Sequence, residues 1–251
     1  VVTEAGFGAD LGAEKFFDIK CRMAGLTPNA VVIVATTKAL KYNGGVPKEN
    51  VKEPNMDAMM AGLCNLERHI KNIQSFGVPV VVAINKFNTD TDEEIAWLKS
   101  QVGVPCEVCE SFACGGAGAV DLANAVLGAI DENPQIKYQY DLSNNIYSKI
   151  CDIAIDYYGA QCVHFSAEVL DKIEKFEKMG FNECPICIAK TQYSFSDDPK
   201  LLGAPEGFTV TVKNVRVSAG AGFVVVLTGD IMTMPGLPKR PAAEKIDVDE
   251  N

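Results

Sequence analysis

Short apolar runs, each followed by a polar loop and a helical segment, constrain the first half of this chain more than any other feature. The runs are continuous rather than alternating, which is typical of strands buried on both faces of a parallel sheet. The sequence therefore predicts an α/β fold of the P-loop NTPase-like or Rossmann-like kind, with a mostly parallel sheet and helices on both faces. The four predicted strands are residues 1–3, 30–35, 78–84 and 104–108.

The loops that follow these strands contain the candidate binding residues. Parallel strands bring their carboxyl ends to one edge of the sheet, where such sheets bind ligands. We therefore expect one shared site at this edge. An exposed aromatic ring in a polar loop indicates a flat ligand or a mobile cover. The loops are residues 4–12, 36–45, 85–91 and 110–118, and the rings are Phe7, Phe87 and Phe112.

Two of these loops leave alternatives open. Gly6, Gly8 and Gly12 let the backbone approach an anion, but a tight structural turn explains them equally well, and the spacing is not that of a dinucleotide fingerprint. Residues 36–45 cluster hydroxyls with two lysines, which favours ligand binding over a merely solvated loop. The segment Asn85-Lys86-Phe87-Asn88 ends in Asn rather than Asp, and the chain has no Walker A motif, so we reject guanine specificity.

The second half of the chain changes character after Pro134. Helices are predicted over residues 141–158 and 167–179, with short strands at 162–165 and 184–189 and a late hairpin over 209–227. We predict an α/β region over residues 1–134 and an α+β subdomain over residues 135–251, whose tail from Pro235 is extended along the surface.

Composition argues against several classes of partner. The formal net charge is −10 without any basic stretch, which argues against nucleic acid, and no apolar run approaches membrane-spanning length. Nine cysteines placed singly in apolar runs are typical of reduced thiols, so we expect the cytoplasm. Two Cys-x-x-Cys pairs lie about 75 residues apart on predicted strands, a spacing that favours structural thiols over zinc. No metal site is predicted.

Several segments resemble the formate–tetrahydrofolate ligase family, and the resemblance extends over essentially the whole chain. The two signature-like segments are TEAGFGADLGAEKF (residues 3–16) and VATTKALKYNGG (residues 34–45), in which Thr37 and Lys38 replace the usual aliphatic residue and arginine. The further matching segments are AINKFNTDT (83–91), AKTQYS (189–194), SAGAGF (218–223) and MPGLP (234–238).

The resemblance implies synthesis of formyl-tetrahydrofolate from formate, tetrahydrofolate and ATP with Mg²⁺, through formyl phosphate. It implies that three aromatic rings bind the pterin, although Phe112 stands where the family carries Trp, which predicts weakened folate binding. A homotetramer and stimulation by a monovalent cation are implied as well. The implied residues are Phe7, Phe87 and Phe112 for folate; Glu4, Gly6, Gly8, Thr36 and Lys38 for formyl phosphate; and Ala204, Pro205 and Gly207 for adenine.

The resemblance also implies that this chain is the C-terminal part of the ligase, without the ATP-binding P-loop, so we expect no ligase activity from it alone. The alternative is a non-catalytic folate-binding or assembly module. A Walker A segment upstream in the same reading frame would favour the ligase, whereas a natural start near Val1 would favour the module.

Overall fold

The structure is a computed structural model that describes residues 1–229, Arg240, Pro241 and Glu244. Its first sheet contains three strands in the order β1-β2-β3, and all of them are parallel. Val31 of β1 pairs with Val80 of β2, and Val82 of β2 pairs with Cys106 of β3. The predicted parallel sheet is confirmed. Its strands are β1 (Val31–Ala35), β2 (Val80–Asn85) and β3 (Cys106–Cys109).

Helices pack on this sheet from both sides. Val80, Val82 and Ile84 of β2 point into the main core, which they share with α4. Strand geometry sends Val81 and Ala83 to the opposite face. There α7 packs against β2 and β3 without adding any residue to the main core. The helices of this half are α3 (Thr37–Asn43), α4 (Met56–Ser75), α5 (Asp92–Gln101), α6 (Ser111–Cys114) and α7 (Val120–Ala129).

Helices α3 and α4 approach each other closely because glycines line their contact. A Cβ on Gly62 would lie 1.9 Å from the Leu40 carbonyl oxygen, and one on Gly44 would lie 1.9 Å from the Ala58 carbonyl oxygen. Asn55 caps the start of α4 by accepting a hydrogen bond from the Ala58 amide. The glycines therefore allow α3, which follows β1, to pack closely against α4.

Strand β1 departs from the predicted burial on both faces. Ile33 and Ala35 are buried, but Val32 and Val34 on the opposite face are 39% and 64% exposed. In the described part of the chain β1 pairs only with β2. The apolar run therefore has one face against the core and one face open, because α7 covers β2 and β3 but not β1.

The N-terminal prediction also requires correction. Residues 1–6 form no strand, and Val1 and Val2 are exposed. The helical segment that follows is interrupted, because a π-helix at Phe16–Cys21 separates α1 (Gly12–Lys15) from α2 (Arg22–Ala24). Gly25 ends α2 in the left-handed conformation (φ 62°).

Two predicted loops contain helices. Within residues 36–45, Thr36 caps α3 by accepting a hydrogen bond from the Ala39 amide at 3.0 Å. Within residues 110–118, α6 leads into a 3₁₀-helix at Gly115–Ala119, with Gly115 in an unusual conformation (φ 59°, ψ −145°). No apolar run of membrane-spanning length was predicted from the sequence, but the span Ser111–Ala129 is long and apolar enough to cross a membrane. The α-helix is interrupted within this span at Gly115.

The second sheet is mixed, with the order β4-β6-β7-β5. β4 is parallel to β6, β5 is parallel to β7, and β6 and β7 form the predicted antiparallel hairpin. The carboxyl ends of β5 and β7 therefore lie together. The elements are α8 (Ile146–Asp152), a π-helix (Ile153–Tyr157), β4 (Cys162–Phe165), α9 (Ala167–Lys178), β5 (Ile186–Ala189), β6 (Thr209–Ser218) and β7 (Phe223–Thr228).

One cluster of buried apolar residues extends across both sheets. It joins Ile33, Val82 and Ile84 of the first sheet to Ile188 and Val226 of the second. The boundary between residues 134 and 135, the Rossmann-like classification and the separate subdomain stay predictions. Both the predicted surface tail from Pro235 and the MPGLP segment lie outside the described residues, apart from Arg240, Pro241 and Glu244 of the tail.

Candidate functional site

The loops after β1, β2 and β3 meet at the carboxyl edge of the first sheet. The Thr37 hydroxyl at the start of α3 donates to Asp90 Oδ1 at 2.7 Å, which joins the first loop to the second. Lys86 lies 3.2 Å from Asp92 and 3.4 Å from Glu110, which joins the second loop to the third. Contacts therefore join three of the four loops that we expected at this edge, and the shared binding site itself stays a prediction.

A buried ion pair joins two of the helices that follow the strands at this edge. Lys41 of α3 lies 3.0 Å from Glu94 of α5, and both side chains are almost fully buried. Glu94 also accepts from the Asn55 and Thr91 amides, so it completes a capping box with Thr91. Burial would raise the pKa of Glu94, but hydrogen bonds from the Asn55 amide and Lys41 keep it below its ordinary value. The pair fixes α3 relative to the loop that carries Phe87.

Two predicted site residues contact each other directly. The Lys38 ammonium lies 3.5 Å from the centroid of the Phe87 ring, which is a cation–π contact. Phe87 is 37% exposed, and its backbone amide donates to Asp90 Oδ2 at 2.9 Å. This contact gathers Lys38 and Phe87 beside the Thr36 cap.

Phe112 lies on α6, at the start of the broken helix, and is 99% exposed. The Glu110 amide donates to the Gly118 carbonyl at 2.9 Å, so the two ends of the segment that contains α6 are hydrogen-bonded to each other. Since Glu110 also pairs with Lys86, the backbone that carries Phe112 is tied to the loop that carries Phe87. The ring itself packs on nothing in the described chain.

Phe7 has the least favourable backbone conformation of the candidate residues. Its φ is 62°, and it is the sole non-glycine residue with positive φ in the described part of the chain. A bulky residue in this region is a true outlier, and such strain concentrates at functional sites. The ring is also 80% exposed, so no packing within the described chain compensates for the strain.

The loop that carries Phe7 folds back on itself. The Leu11 and Gly12 amides both donate to the Gly8 carbonyl, at 3.0 and 2.9 Å. A Cβ on Gly12 would lie 1.8 Å from the Gly6 carbonyl oxygen, and one on Gly8 would lie 2.4 Å from Asp10 Oδ1. Glycine is therefore required at position 12, where the contact is with backbone, whereas a larger residue at position 8 would have to displace the Asp10 side chain.

Buried polar groups anchor this loop to the second half of the chain. The Lys190 ammonium lies 2.5 Å from Asp10 Oδ2, with both side chains at most 5% exposed. The Tyr157 hydroxyl donates to the Ala9 carbonyl at 3.1 Å. Burial lowers the pKa of Lys190, although the attraction of Asp10 opposes that shift. Burial also lowers the pKa of His69, whose ring lies tilted by 40° against that of Phe195, with ring centroids 4.6 Å apart.

Two more carboxyl groups are buried in the helix behind the loop. Burial and the neighbouring Glu14 carboxyl raise the pKa of Asp18 to about 8, against hydrogen bonds from the Gln139 amide and Arg22. Burial also raises the pKa of Glu14, although Lys15 lies 3.2 Å away. One oxygen of each carboxyl has no hydrogen-bond partner in the described part of the chain.

The remaining predicted residues lie at different depths. Glu4 and Gly6 are exposed, and Gly8 is half-buried. The loop with Ala204, Pro205 and Gly207 is anchored beside α3 and α4, because the Gly203 amide donates to Asn43 and its carbonyl accepts from Asn65. Among the described residues, no hydrogen bond or ring contact joins residues 4–12 to the three loops at the first sheet's edge. A pocket formed by all three phenylalanines therefore stays a prediction.

Sequence reasoning assigned no role to Asp10, His69 or Lys190. The available signal was that Lys190 begins a polar loop directly after an apolar strand, as Thr36 and Asn85 do. Its partner lies 180 residues earlier, and a single sequence does not reveal such a pairing. All nine cysteines are free. No group of three or more His, Cys, Asp or Glu side chains among the described residues is arranged to hold a metal ion.

A model of one protein family matches the chain over its entire length. The description of that family is formate–tetrahydrofolate ligase, and the matched residues are 1–251.

Proposed function

The chain belongs to the formate–tetrahydrofolate ligase family, and we propose that its loops bind tetrahydrofolate and the formyl phosphate intermediate of that ATP-dependent reaction. The observation that carries the assignment of the site is Phe7. An exposed ring held at φ 62° gains nothing from its own chain, which is the property expected of a residue that stacks on a flat ligand. Phe87 and Phe112 would contact the same pterin.

The glycine loop suits the anionic intermediate. The Gly6 and Gly8 amides donate to no acceptor among the described residues, whereas the Leu11 and Gly12 amides are already used within the turn. Free amides in a glycine-rich loop ahead of a helix are effective donors to phosphate oxygens. Glu4 precedes these amides and is exposed. Its carboxylate would interact with the amine of tetrahydrofolate rather than with an anion.

Thr36 and Lys38 would act on the other side of the intermediate. Lys38 lies at the rim beside Phe87, where its ammonium can neutralise charge that develops as the folate amine attacks the formyl carbonyl and phosphate leaves. Thr36 positions Lys38 by capping α3. We assign no Mg²⁺ ligand to the described residues and no step to a metal, since magnesium would arrive with the phosphates of ATP.

The adenine ring would contact Ala204, Pro205 and Gly207. These residues follow Gly203, which is buried and hydrogen-bonded to Asn43 at the end of α3 and to Asn65 in the middle of α4. This attachment holds the loop rigidly next to α3, which starts at the proposed formyl phosphate site. An alanine and a proline supply apolar surface for a purine without a demand for charge.

We further propose that the phosphates of ATP are bound by a segment outside this chain. The sequence contains no Walker A motif. In addition, Val32 and Val34 of β1 are exposed, as are Leu127 and Ile130 at the end of α7. Exposed apolar side chains on a strand and on a helix of the same sheet are compatible with a covering segment. The homotetramer, monovalent-cation dependence and cytoplasmic location stay predictions from the family resemblance.

The test measures binding and synthesis separately on the purified chain. Calorimetry under anaerobic conditions should detect tetrahydrofolate binding, whereas a mixture with ATP, formate and tetrahydrofolate should give no formyl-tetrahydrofolate. Product formed by the chain alone would refute the need for a further ATP-binding segment. Absence of folate binding, together with a natural start near Val1, would favour an assembly module instead.

A substitution at Phe112 tests the aromatic contact specifically. Phe112→Trp should tighten tetrahydrofolate binding by about fivefold, because the larger ring adds roughly 1 kcal/mol of stacking. Met179→Trp at the exposed end of α9 is the control, since it adds the same ring outside the proposed site. Equal affinity for the Phe112→Trp variant and the wild-type chain would show that this ring does not touch the folate.

A further inference from the structure

The strained conformation of Phe7 has to be maintained by contacts elsewhere, because its own side chain makes none that compensate. Strained residues persist only when their surroundings over-determine them. The hydrogen bonds within the turn, from Leu11 and Gly12 to Gly8, fix the shape of the loop but not its position on the protein. Position has to come from contacts with other elements.

Those contacts converge on Lys190. It follows β5 directly and lies 2.5 Å from Asp10, three residues after Phe7. The same ammonium donates to the carbonyls of Thr191 and Ser194, so its other protons bind the loop after β5. It also lies 5.0 Å from the centroid of the Tyr158 ring, next to the tyrosine whose hydroxyl holds Ala9. One buried cation therefore joins three separate segments.

We propose that Lys190 and Asp10 are positioning residues for the folate loop, and that their buried ion pair holds Phe7 in its binding conformation from the second sheet. This inference rests on the proposed folate-binding function of Phe7, but its structural half can be tested without any ligand. The pair contacts the loop from behind, and neither residue is assigned a contact with substrate.

The burial of the pair makes its loss consequential. Removing one partner from a buried ion pair leaves the other charge unpaired and poorly solvated, so the loop carrying Asp10 would move toward water. Asp10 lies inside the turn that the Leu11 and Gly12 hydrogen bonds to Gly8 close, so its displacement would open those hydrogen bonds as well. It would also remove the steric enclosure in which Gly8 faces Asp10 and His69.

The experiment measures amide hydrogen exchange by NMR on the purified chain, with the Leu11 and Gly12 amides as reporters. Lys190→Met should accelerate their exchange at least tenfold and weaken tetrahydrofolate binding at least fivefold. Asp10→Asn, which keeps the shape and a hydrogen-bond acceptor, should give a smaller change in the same direction. It also keeps the test valid if Lys190→Met fails to fold.

Lys149→Met is the matched control. Lys149 is equally buried and donates to the carbonyls of Leu142, Asn182 and Cys184, near the opposite end of β5. Its loss should lower the melting temperature while leaving the exchange of Leu11 and Gly12 within about twofold of wild type.

Two results would overturn the proposal. One is unchanged protection of both reporter amides in Lys190→Met and Asp10→Asn, and the other is equal acceleration in Lys149→Met, which would indicate general destabilisation. If the wild-type chain binds no tetrahydrofolate, the proposed function fails by that result alone. The exchange measurements would still decide whether the ion pair positions the loop.

Discussion

Replacing Phe7 separates the strain of its backbone from the use of its ring. A non-glycine residue in the left-handed region costs roughly 1–2 kcal/mol. Glycine avoids that cost but loses about 0.5–1 kcal/mol through the greater freedom of the unfolded chain. Because the ring is 80% exposed, its removal forfeits little packing. Phe7→Gly should therefore be about 0–1.5 kcal/mol more stable than the wild-type protein.

Phe7→Ala provides the comparison, since alanine removes the ring but keeps the strain. We expect the glycine variant to exceed the alanine variant by about 1 kcal/mol, which corresponds to roughly 2–4 °C in melting temperature for a chain of this size. Both variants should lose the stacking contact with the pterin. By analogy with base–aromatic stacking this costs about 1–3 kcal/mol, a roughly 5- to 150-fold weaker affinity.

The assays are thermal unfolding followed by circular dichroism and anaerobic calorimetry with tetrahydrofolate. The reasoning predicts an unusual combination, in which a glycine substitution maintains or raises stability while it impairs binding. It would be refuted if both variants lost more than about 2 kcal/mol of stability, since the ring would then be packed in solution. Equal stability of the two variants would show that Phe7 is not left-handed.

Two further predictions concern groups behind the site. Because the pKa of Asp18 is raised to about 8, the folded chain should keep a proton on this carboxyl between about pH 4 and pH 8 that the unfolded chain releases. The free energy of unfolding should therefore fall as pH rises through this window, by up to about 1.4 kcal/mol per pH unit. Asp18→Asn should flatten that slope in melting temperatures measured from pH 5 to 8, and an unchanged slope would assign it to other groups. Gly62→Ala should lower the free energy of unfolding in urea by about 1–3 kcal/mol, because the added methyl group meets the Leu40 carbonyl. Gly128→Ala, which has open space around it, should be neutral or stabilising. Equal effects of the two substitutions would contradict the close contact of α3 with α4.

Local sequence signals predicted the parts of the fold that depend on neighbouring residues. Thr91 and Glu94 are spaced as a capping box requires and form one, and the apolar runs predicted as strands at β2 and β3 are strands of a parallel sheet. The helix α3 was missed because the hydroxyls at its start and the two glycines that follow it resemble a loop. Thr36 in fact caps it, and Gly44 marks its end rather than flexibility.

Features that depend on distant partners could not be predicted. The apolar run of β1 gave no indication that Val32 and Val34 would be exposed, because that depends on where α7 packs. The candidate aromatic residues were chosen from their polar surroundings, and the loops that carry Phe87 and Phe112 are joined by the ion pair of Lys86 with Glu110. The ion pair of Asp10 with Lys190 joins segments 180 residues apart, and neither partner's local sequence signals it.

The ammonium group that lies on Phe87 restricts how any ligand can use that ring. A phenyl ring has two electron-rich faces, and Lys38 already occupies one of them at 3.5 Å. A pterin could then stack only on the opposite face, so that the lysine, the phenyl ring and the heterocycle would form successive layers. The positive charge of Lys38 would polarise the Phe87 ring on which the pterin stacks. Because Lys38 is also proposed to act on formyl phosphate, the charge of that intermediate would then affect how tightly the pterin binds.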